Sequence, residues 1–470
     1  MRKIIHVLTI ACGIIFCSTQ ISSAQSTNRD LLKRNVPDRW MYASEMEQTL
    51  PSDDQWWKRF NDPLLDSLIS VGMDNNFNVL TALHRMDMAK AQIKSAEASY
   101  YPTFGLSGGY TKSRSAGAMS GSKVPSSNSS YFNLGANMQW EIDVFGRITD
   151  GVKNKKALYQ VSRADYMSSM ISLAADIATY YFNLRIFQRQ LYVTKEHLAS
   201  QERVVEIVKA RFEAGLVSKL DVAQALTVYY STEATVPQLE SSMKQAENAI
   251  AILLGVYPED LAPQLEASWT TPDFRHLVPA GVPANLLRRR PDIIAAESEV
   301  SAYAAQLGVA KKDFLPTLTL NGTIGVGAHE INDMFKNNSL TYSIAPTLSW
   351  TLFDGFARKA AVSEAKEQMK IGIENYNQTV MTAIQEVDNA MLSYSAALHA
   401  IDSYTNVINQ CDESFHLSVD LYKEGLTAFT NVVDSQINSL TYANTLISAR
   451  GNAFISLIDL YKALGGSPIE

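Results

Sequence analysis

The chain has 470 residues, 46% of them hydrophobic and 19% charged, with a formal net charge of -7. That balance excludes a disordered chain and a helical membrane protein, and it offers no basic face of the kind a nucleic-acid binder carries. The length exceeds one small core and favours several structural units.

Met1-Arg2-Lys3 precede a mostly apolar run from Ile4 to Phe16, and Ser22-Ser23-Ala24 stands before Gln25. A charged start, a short apolar stretch and a small-residue cleavage site predict a signal peptide over 1–24. Lipidation at Cys12 or Cys17 is the competing reading. Cys17 follows bulky Phe16, and Cys12 leaves a very short apolar stretch, so cleavage after Ala24 is favoured. Cys411 is then the single cysteine left. It excludes an intrachain disulfide and a thiolate zinc cluster, and reads as a small packing residue.

Residues 25–77 form an N-terminal segment with a first helix. Beyond it the chain is written twice. Tyr100-Tyr101-Pro102-Thr103 recurs as Phe314-Leu315-Pro316-Thr317, at an offset of 214. Trp140 and Phe145-Gly146-Arg147 recur near Trp350 and Phe356-Ala357-Arg358. Arg211 to Leu216 recurs as Leu421 to Leu426, and Leu254-Gly255 as Leu464-Gly465, both at an offset of 210. The unit is far longer than a solenoid repeat, so a duplicated half-protein is the better reading. The first repeat spans 78–290 and the second 291–470.

Each repeat opens with a helix, 78–99 or 292–312, followed by a hairpin over about 103–143 or 317–352. Phe132, Leu134, Ala136, Met138, Trp140 and Ile142 alternate with polar or small residues. Leu340, Tyr342, Ile344, Pro346, Leu348, Trp350 and Leu352 do the same. Strict alternation predicts strands with one apolar face. A soluble sheet on a core is one reading. Strand length, aromatic residues near the ends and a small polar second face favour a membrane barrel. Pro346 fits awkwardly, since proline favours edges or bulges. Four strands cannot close, and an open edge in lipid leaves backbone groups unpaired. Two copies give an eight-stranded barrel filled by side chains; three give twelve strands and room for a channel.

After each hairpin the period becomes seven. Ile177, Leu184, Leu191, Leu198, Val205 and Phe212 match Val387, Tyr394, Ile401, Ile408, Phe415 and Tyr422. Such heptads predict long coiled-coil helices over about 148–214 and 357–424. Tight turns at Gly215 and Gly425 follow, then return helices over about 218–255 and 428–465. An equatorial linker, 256–290, joins the repeats. The fold class is therefore mixed: a membrane β-barrel, four strands per chain, continued by an all-α coiled-coil tunnel.

Specific segments carry a resemblance. Leu286-Leu287-Arg288-Arg289-Arg290-Pro291-Asp292-Ile293, Trp56-Trp57-Lys58-Arg59-Phe60-Asn61-Asp62-Pro63-Leu64, the run Trp140 to Arg147, and Phe353-Asp354-Gly355 resemble segments of the TolC-like outer-membrane efflux proteins, in the OprM/NodT-type branch. The resemblance implies a homotrimer in outer-membrane lipid with a long periplasmic extension. It would pass drugs or other small molecules from an inner-membrane transporter of RND type, through a periplasmic adaptor (membrane fusion) protein, to the exterior. The turns at Gly215, Leu216, Gly425 and Leu426 would be the docking tips. By the same resemblance Asp221 and Tyr422 match a closing hydrogen bond, and Asp434 matches a carboxylate ring. Thr427, Asn431 and Thr430 stand where relatives place an arginine lock, a second aspartate ring and a plugging leucine.

The remaining chemistry is sparse. The seven histidines show no ligand spacing, and no Walker A loop or nucleophile elbow occurs. His399 and His416 read as helix-surface or packing residues. No catalytic residue, metal or cofactor is expected. A duct for type I protein secretion and a non-conducting coiled-coil envelope protein remain as alternative readings.

Overall fold

The structure is a computed structural model and describes residues 37, 55–115, 127–265 and 289–466. The leader with Cys12 and Cys17, and most of the linker 256–290, lie outside the described residues. So does the loop between the first two strands.

A 3-10 turn, Trp56–Phe60, leads into helix α1, Pro63–Asn75. Asp62 caps it by accepting from the backbone of Leu64 and Leu65, which satisfies N–H groups that a helix start leaves orphaned. Asn76 caps α2, Phe77–Glu97, in the same way.

Strands β1, Thr103–Ser115, and β2, Ser127–Ile142, form the first hairpin. Helix α3 then runs unbroken from Arg147 to Glu213. Its return is α4, Lys219–Glu233, and α5, Val236–Leu254. Part of the linker is helical, as α6, Pro258–Leu265. The second half repeats the order: α7, Pro291–Lys312; β3, Thr317–Ala328; β4, Leu340–Ser349; α8, Ala357–Lys423; and α9, Phe429–Ala463. Both α3 and α8 have 67 residues, about 100 Å at 1.5 Å per residue.

Two expectations need correction. The first-half return is two helices, not one over 218–255. Pro237 sits in the first turn of α5; it has no N–H to offer the preceding turn, so α4 ends at Glu233. The bond from Thr235 Oγ1 to the Thr232 carbonyl, 2.7 Å, occupies an acceptor there. The second correction is one of frame. Gly146 does not correspond to Ala357. The residue before α3 is Gly146, at φ +77°, and the residue before α8 is Phe356, at φ +72°. The left-handed entry is kept at an offset of 210, although a bulky aromatic there is strained.

The four strands form one antiparallel sheet in the order β1-β2-β3-β4. Its register sorts side chains cleanly between the faces. Leu106, Ala136, Ile324 and Tyr342 lie in one row across all four strands, and Phe104, Met138, Gly322 and Ile344 in the next. On the opposite face run Gly105, Asn137, Thr323 and Ser343, then Ser107, Gly135, Gly325 and Thr341. Pro346 lies on β4, one of the two outer strands, opposite Leu320. The apolar face is bare: Leu106 and Ile344 are 79% and 75% exposed.

Each hairpin is tied to its preceding helix by the same bond. Trp140 Nε1 donates to the Tyr100 carbonyl at 2.9 Å, and Trp350 Nε1 to the Phe314 carbonyl at 3.0 Å. Below the sheet, α3 packs against α2, α4, α5, α7 and α9, while α8 packs against α7 and α9. The shorter helices thus lie alongside the long ones as stacked pairs. Toward the sheet, Lys312 of α7 bridges to buried Asp150 of α3 at 2.5 Å and to the Gly146 carbonyl at 3.0 Å.

The main core lies midway along the rod. Trp56, Trp57 and Phe60 insert among α3 and α9, where Phe182 stacks on Phe454 with ring centroids 4.4 Å apart. Beside it Tyr181 donates to Asp62 Oδ2 at 2.6 Å, and buried Arg185 donates to Tyr181 and to the Leu265 carbonyl. This network pins the N-terminal turn and α6 to α3. The heptad residues Ile177, Leu184, Val205, Val387, Tyr394, Ile401 and Tyr422 are buried, whereas Phe212 is exposed. No helix among the described residues is long and apolar enough to cross a membrane.

Candidate functional site

The end of the rod remote from the sheet is built from two copies of one turn. After α3, Gly215 takes φ +71°, its N–H donates to the Phe212 carbonyl, and Leu216 N–H donates to Arg211. After α8, Gly425 takes φ +76°, its N–H donates to Tyr422, and Leu426 N–H donates to Leu421. These are Schellman caps, which need a left-handed residue at the position each glycine holds. They close each long helix without extra chain and leave Leu216 and Leu426 projecting, 66% and 73% exposed.

The two turns are stitched together by side chains. Tyr422, in the last turn of α8, donates its hydroxyl to Asp221 Oδ2 at 3.3 Å. Asp221 lies in the first turn of α4, where Ser218 caps the helix and its hydroxyl donates to Asp221 Oδ1 at 2.9 Å. The carboxylate therefore sits at the positive end of a helix dipole and accepts from two hydroxyls. The Tyr422 ring is buried against Phe429, with centroids 5.1 Å apart. Burial, and then the neighbouring Asp221 carboxylate, push its phenol up to about 12. On the ring lies the Arg211 guanidinium, 5.0 Å from the centroid, which also donates to the Lys423 carbonyl. Beneath this cluster Val204, Val205, Val208, Ala225, Phe429 and Val432 form a separate small core.

The other expected residues lie along the start of α9. Asn431 Nδ2 donates to Thr427 Oγ1 at 2.7 Å, one helical turn away. Thr430 and Asp434 are exposed and share a face by their four-residue spacing. The fold thus joins Asp221 to Tyr422 and Thr427 to Asn431, while Thr430 and Asp434 face outward from the single chain. Arg211 and Ser218 complete the cluster and were not singled out by sequence reasoning. The signal for Arg211 is its break with the repeat, since Leu421 occupies the matching position. The signal for Ser218 is its place three residues before Asp221, a helix-start pattern.

Arg290 marks a second polar cluster. Its guanidinium donates to Asp292 and Glu386, both at 2.7 Å, and to the Ala463 carbonyl at 2.8 Å, tying the entry of α7 to α8 and the end of α9. It borders a cleft of about 520 Å³ shared with Asn389, Ser393 and Asp459. No cluster of acidic, histidine or cysteine side chains suited to a metal occurs among the described residues. His399 and His416 are exposed.

Comparison with known proteins places this architecture. The family described as "Outer membrane efflux protein" matches residues 68–256 and 282–466, one match in each half. Nodulation protein T of Rhizobium leguminosarum bv. trifolii is 30% identical over 81% of both chains. The outer membrane protein OprJ of Pseudomonas aeruginosa is 28% identical over 92% of this chain and 90% of its own. Among solved structures, the outer-membrane channel OprN aligns with a TM-score of 0.85 at 28% identity, over 92% of this chain and 98% of that one. The open-state MtrE outer membrane channel of Neisseria gonorrhoeae aligns with a TM-score of 0.81 at 26% identity, over 93% and 96%.

Proposed function

The chain belongs to the outer membrane efflux protein family, and from that premise we propose that three copies close into one duct that conducts small molecules outward and is gated at the helical tip. The observation that carries this reading is the two-faced sheet. Between the Tyr110–Phe132 row and the Ile142–Leu318–Leu348 row one face of the sheet is apolar and the other small or polar, and β1 and β4 each present an edge that no described strand of the chain pairs. In lipid such edges must be paired, and copies of the same sheet supply the partner. Three sheets give twelve strands, wide enough for a wet lumen lined by Asn137, Thr323 and Ser343.

The helices continue the duct. Molecules enter from a periplasmic adaptor and an inner-membrane transporter of RND type, and leave through the barrel without further energy input. The projecting leucines of the two Schellman turns, Leu216 beside Gly215 and Leu426 beside Gly425, are the docking points for the adaptor. Asp221 and Tyr422 hold the second long helix against the first-half return and keep the tip narrow. Thr427 and Asn431 brace the start of α9, so that Thr430 and Asp434 form successive rings around the axis. Three Asp434 carboxylates on an axis attract cations and repel one another as the ring narrows.

Planar-bilayer recording of the purified protein tests the reading. Unheated samples run as a trimer and give ion currents. Asp434→Asn lowers the preference for cations over anions. A trimer that stays silent, both as wild type and as Asp434→Ala, overturns the channel reading.

A further inference from the structure

The turn between α3 and α4 grips Tyr422 from two sides. Arg211, in the last turn of α3, lays its guanidinium on the ring, 5.0 Å from the centroid. Asp221, in the first turn of α4, accepts from the hydroxyl at 3.3 Å. A cation on the aromatic face and a carboxylate on the phenol thus act on one side chain through different atoms. Phe429 of α9 also packs on the ring, with centroids 5.1 Å apart.

Arg211 reaches past its own helix. A basic residue in a last turn ordinarily serves the end of the helix that carries it. Here that end is closed by backbone bonds from Gly215 and Leu216. The side chain crosses to α8 instead and donates to the Lys423 carbonyl. The cap of α8 engages the carbonyls of Asp420, Tyr422 and Leu421 through the N–H groups of Glu424, Gly425 and Leu426. The Lys423 carbonyl lies outside that set, among the last four that a helix leaves orphaned, and Arg211 supplies its donor.

The duplication provides an internal control. At an offset of 210, Leu421, Phe212 and Asn431 hold the positions that match Arg211, Tyr422 and Asp221. That second set has no cation, no hydroxyl and no carboxylate. Leu421 and Phe212 are exposed, whereas Tyr422 is buried. The three chemical groups are present together in one arrangement and absent together in its mirror, as expected of parts that work as one.

We propose, on the gated-duct reading above, that Arg211 is the positioning residue of the tip, fixing the Tyr422 ring to α3 so that its hydroxyl meets Asp221 when α4 closes. Arg211 stands on the long helix and Asp221 on the short one. The first is the anchor and the second the latch. Burial and the Asp221 carboxylate push the Tyr422 phenol up, and the Arg211 guanidinium pulls against them, so both charges are felt at one oxygen.

Planar-bilayer recording and nitration of the purified trimer by tetranitromethane test the assignment. Arg211→Met keeps an apolar stem and removes the charge and the donors. Open probability is expected to rise roughly three- to tenfold, the scale of a cation–π contact together with one hydrogen bond. In a Tyr422→Phe or Asp221→Ala background the same change should have much less effect, because the bond it positions is gone. Nitration of Tyr422, read by mass spectrometry against exposed Tyr230, should rise severalfold in Arg211→Met and little in Asp221→Ala, which loses the latch but keeps the anchor. Arg211→Lys retains a cation for the ring and should fall between wild type and Arg211→Met in both measurements. If Arg211→Met does not assemble, Arg211→Lys carries the comparison: Tyr422 nitration above wild type supports the anchor, and equal nitration overturns it. Wild-type currents and nitration in Arg211→Met, an undiminished effect without the Tyr422 hydroxyl, or equal nitration in Arg211→Met and Asp221→Ala each overturn the anchor. The gate reading then stands so long as Tyr422→Phe still opens the tip. Tyr422→Phe and Asp221→Ala proteins that both conduct as wild type overturn the gate and the anchor together.

Discussion

Tyr422 reaches Asp221 across 201 positions of sequence, hydroxyl to carboxylate at 3.3 Å, and so fastens the last turn of α8 to the first turn of α4. Tyr422→Phe removes the bond and keeps the ring on Phe429. A hydrogen bond of this kind contributes about 1 kcal/mol, or roughly fivefold in an equilibrium between closed and open tips. The expected result is a severalfold rise in open probability in planar bilayers, matched by Asp221→Ala, which leaves no side-chain acceptor. The double variant should add little beyond either single change, because both remove the same bond.

Alkali should loosen the same contact. The folded-state phenol lies at about 12, above its ordinary value of 10. Its proton is therefore held more tightly in the tip as it is built here, with Tyr422 on Asp221, than in a solvated one. The stabilisation is complete below about pH 10 and is lost as pH rises through about 12. Wild-type current should climb across that window, while Tyr422→Phe stays flat. Equal responses would remove Tyr422 from the gate.

The same glycine-to-alanine change should have opposite signs at two places. At Gly215, φ is +71° and an added Cβ meets nothing, so Gly215→Ala costs about 1–2 kcal/mol through backbone conformation alone. At Gly151, inside α3, an added Cβ also meets nothing, and Gly151→Ala stabilises by about 0.4–1 kcal/mol. Thermal unfolding of the two variants checks the signs, and protease cleavage near 215 should increase only in the first.

Arg290 is nearly buried and divides its donors among Asp292, Glu386 and the Ala463 carbonyl. Arg290→Ala removes these bonds but leaves Asp292 and Glu386 about half exposed to water, so the expected cost is about 1.5–3 kcal/mol, that of a hydrogen bond to a charged group. Arg290→Lys restores the charge but not the forked geometry, and should rescue only part of the loss. Yield of heat-resistant oligomer, compared across the three proteins, is the readout.

The two sheet faces should respond differently to one charge. Ile344→Lys places an ammonium on the apolar face, where a lysine near mid-membrane costs about 2–4 kcal/mol. Thr323→Lys places it on the polar face of the neighbouring strand. The first should reduce insertion into lipid vesicles. The second should insert normally and shift ion preference toward anions.

Much of this fold was legible in the sequence because its two periods are unusually pure. The alternation from Phe132 to Ile142 names the face of each residue, and the heptads from Ile177 name the contact line of α3. The offsets of 214 and 210 carry the duplication through to the strand register. What escaped were features set by backbone chemistry at single positions. The break after Glu233 depends on Pro237 denying an N–H to the turn before it. The left-handed entry into α8 falls on Phe356, a residue type that sequence reasoning would not place there. At the tip, Tyr422 and Asp221 were matched through family resemblance, whereas the Arg211 guanidinium on the Tyr422 ring joins residues 211 positions apart and left no local pattern.

The interruption at Ala234 and Thr235 makes the two halves unequal as levers. Below it, α4 is an arm of 15 residues, about 22 Å long. Its counterpart α9 is one rod of 35 residues, about 52 Å long. For equal sideways travel at the tip, the short arm must swing through more than twice the angle, about a joint that Pro237 has already freed from one backbone bond. The rod can follow only by tilting over its whole length, against the core at Phe454. Widening of the tip is therefore expected to begin at the first-half return, where Asp221 sits, so that six staves move as three leading and three following.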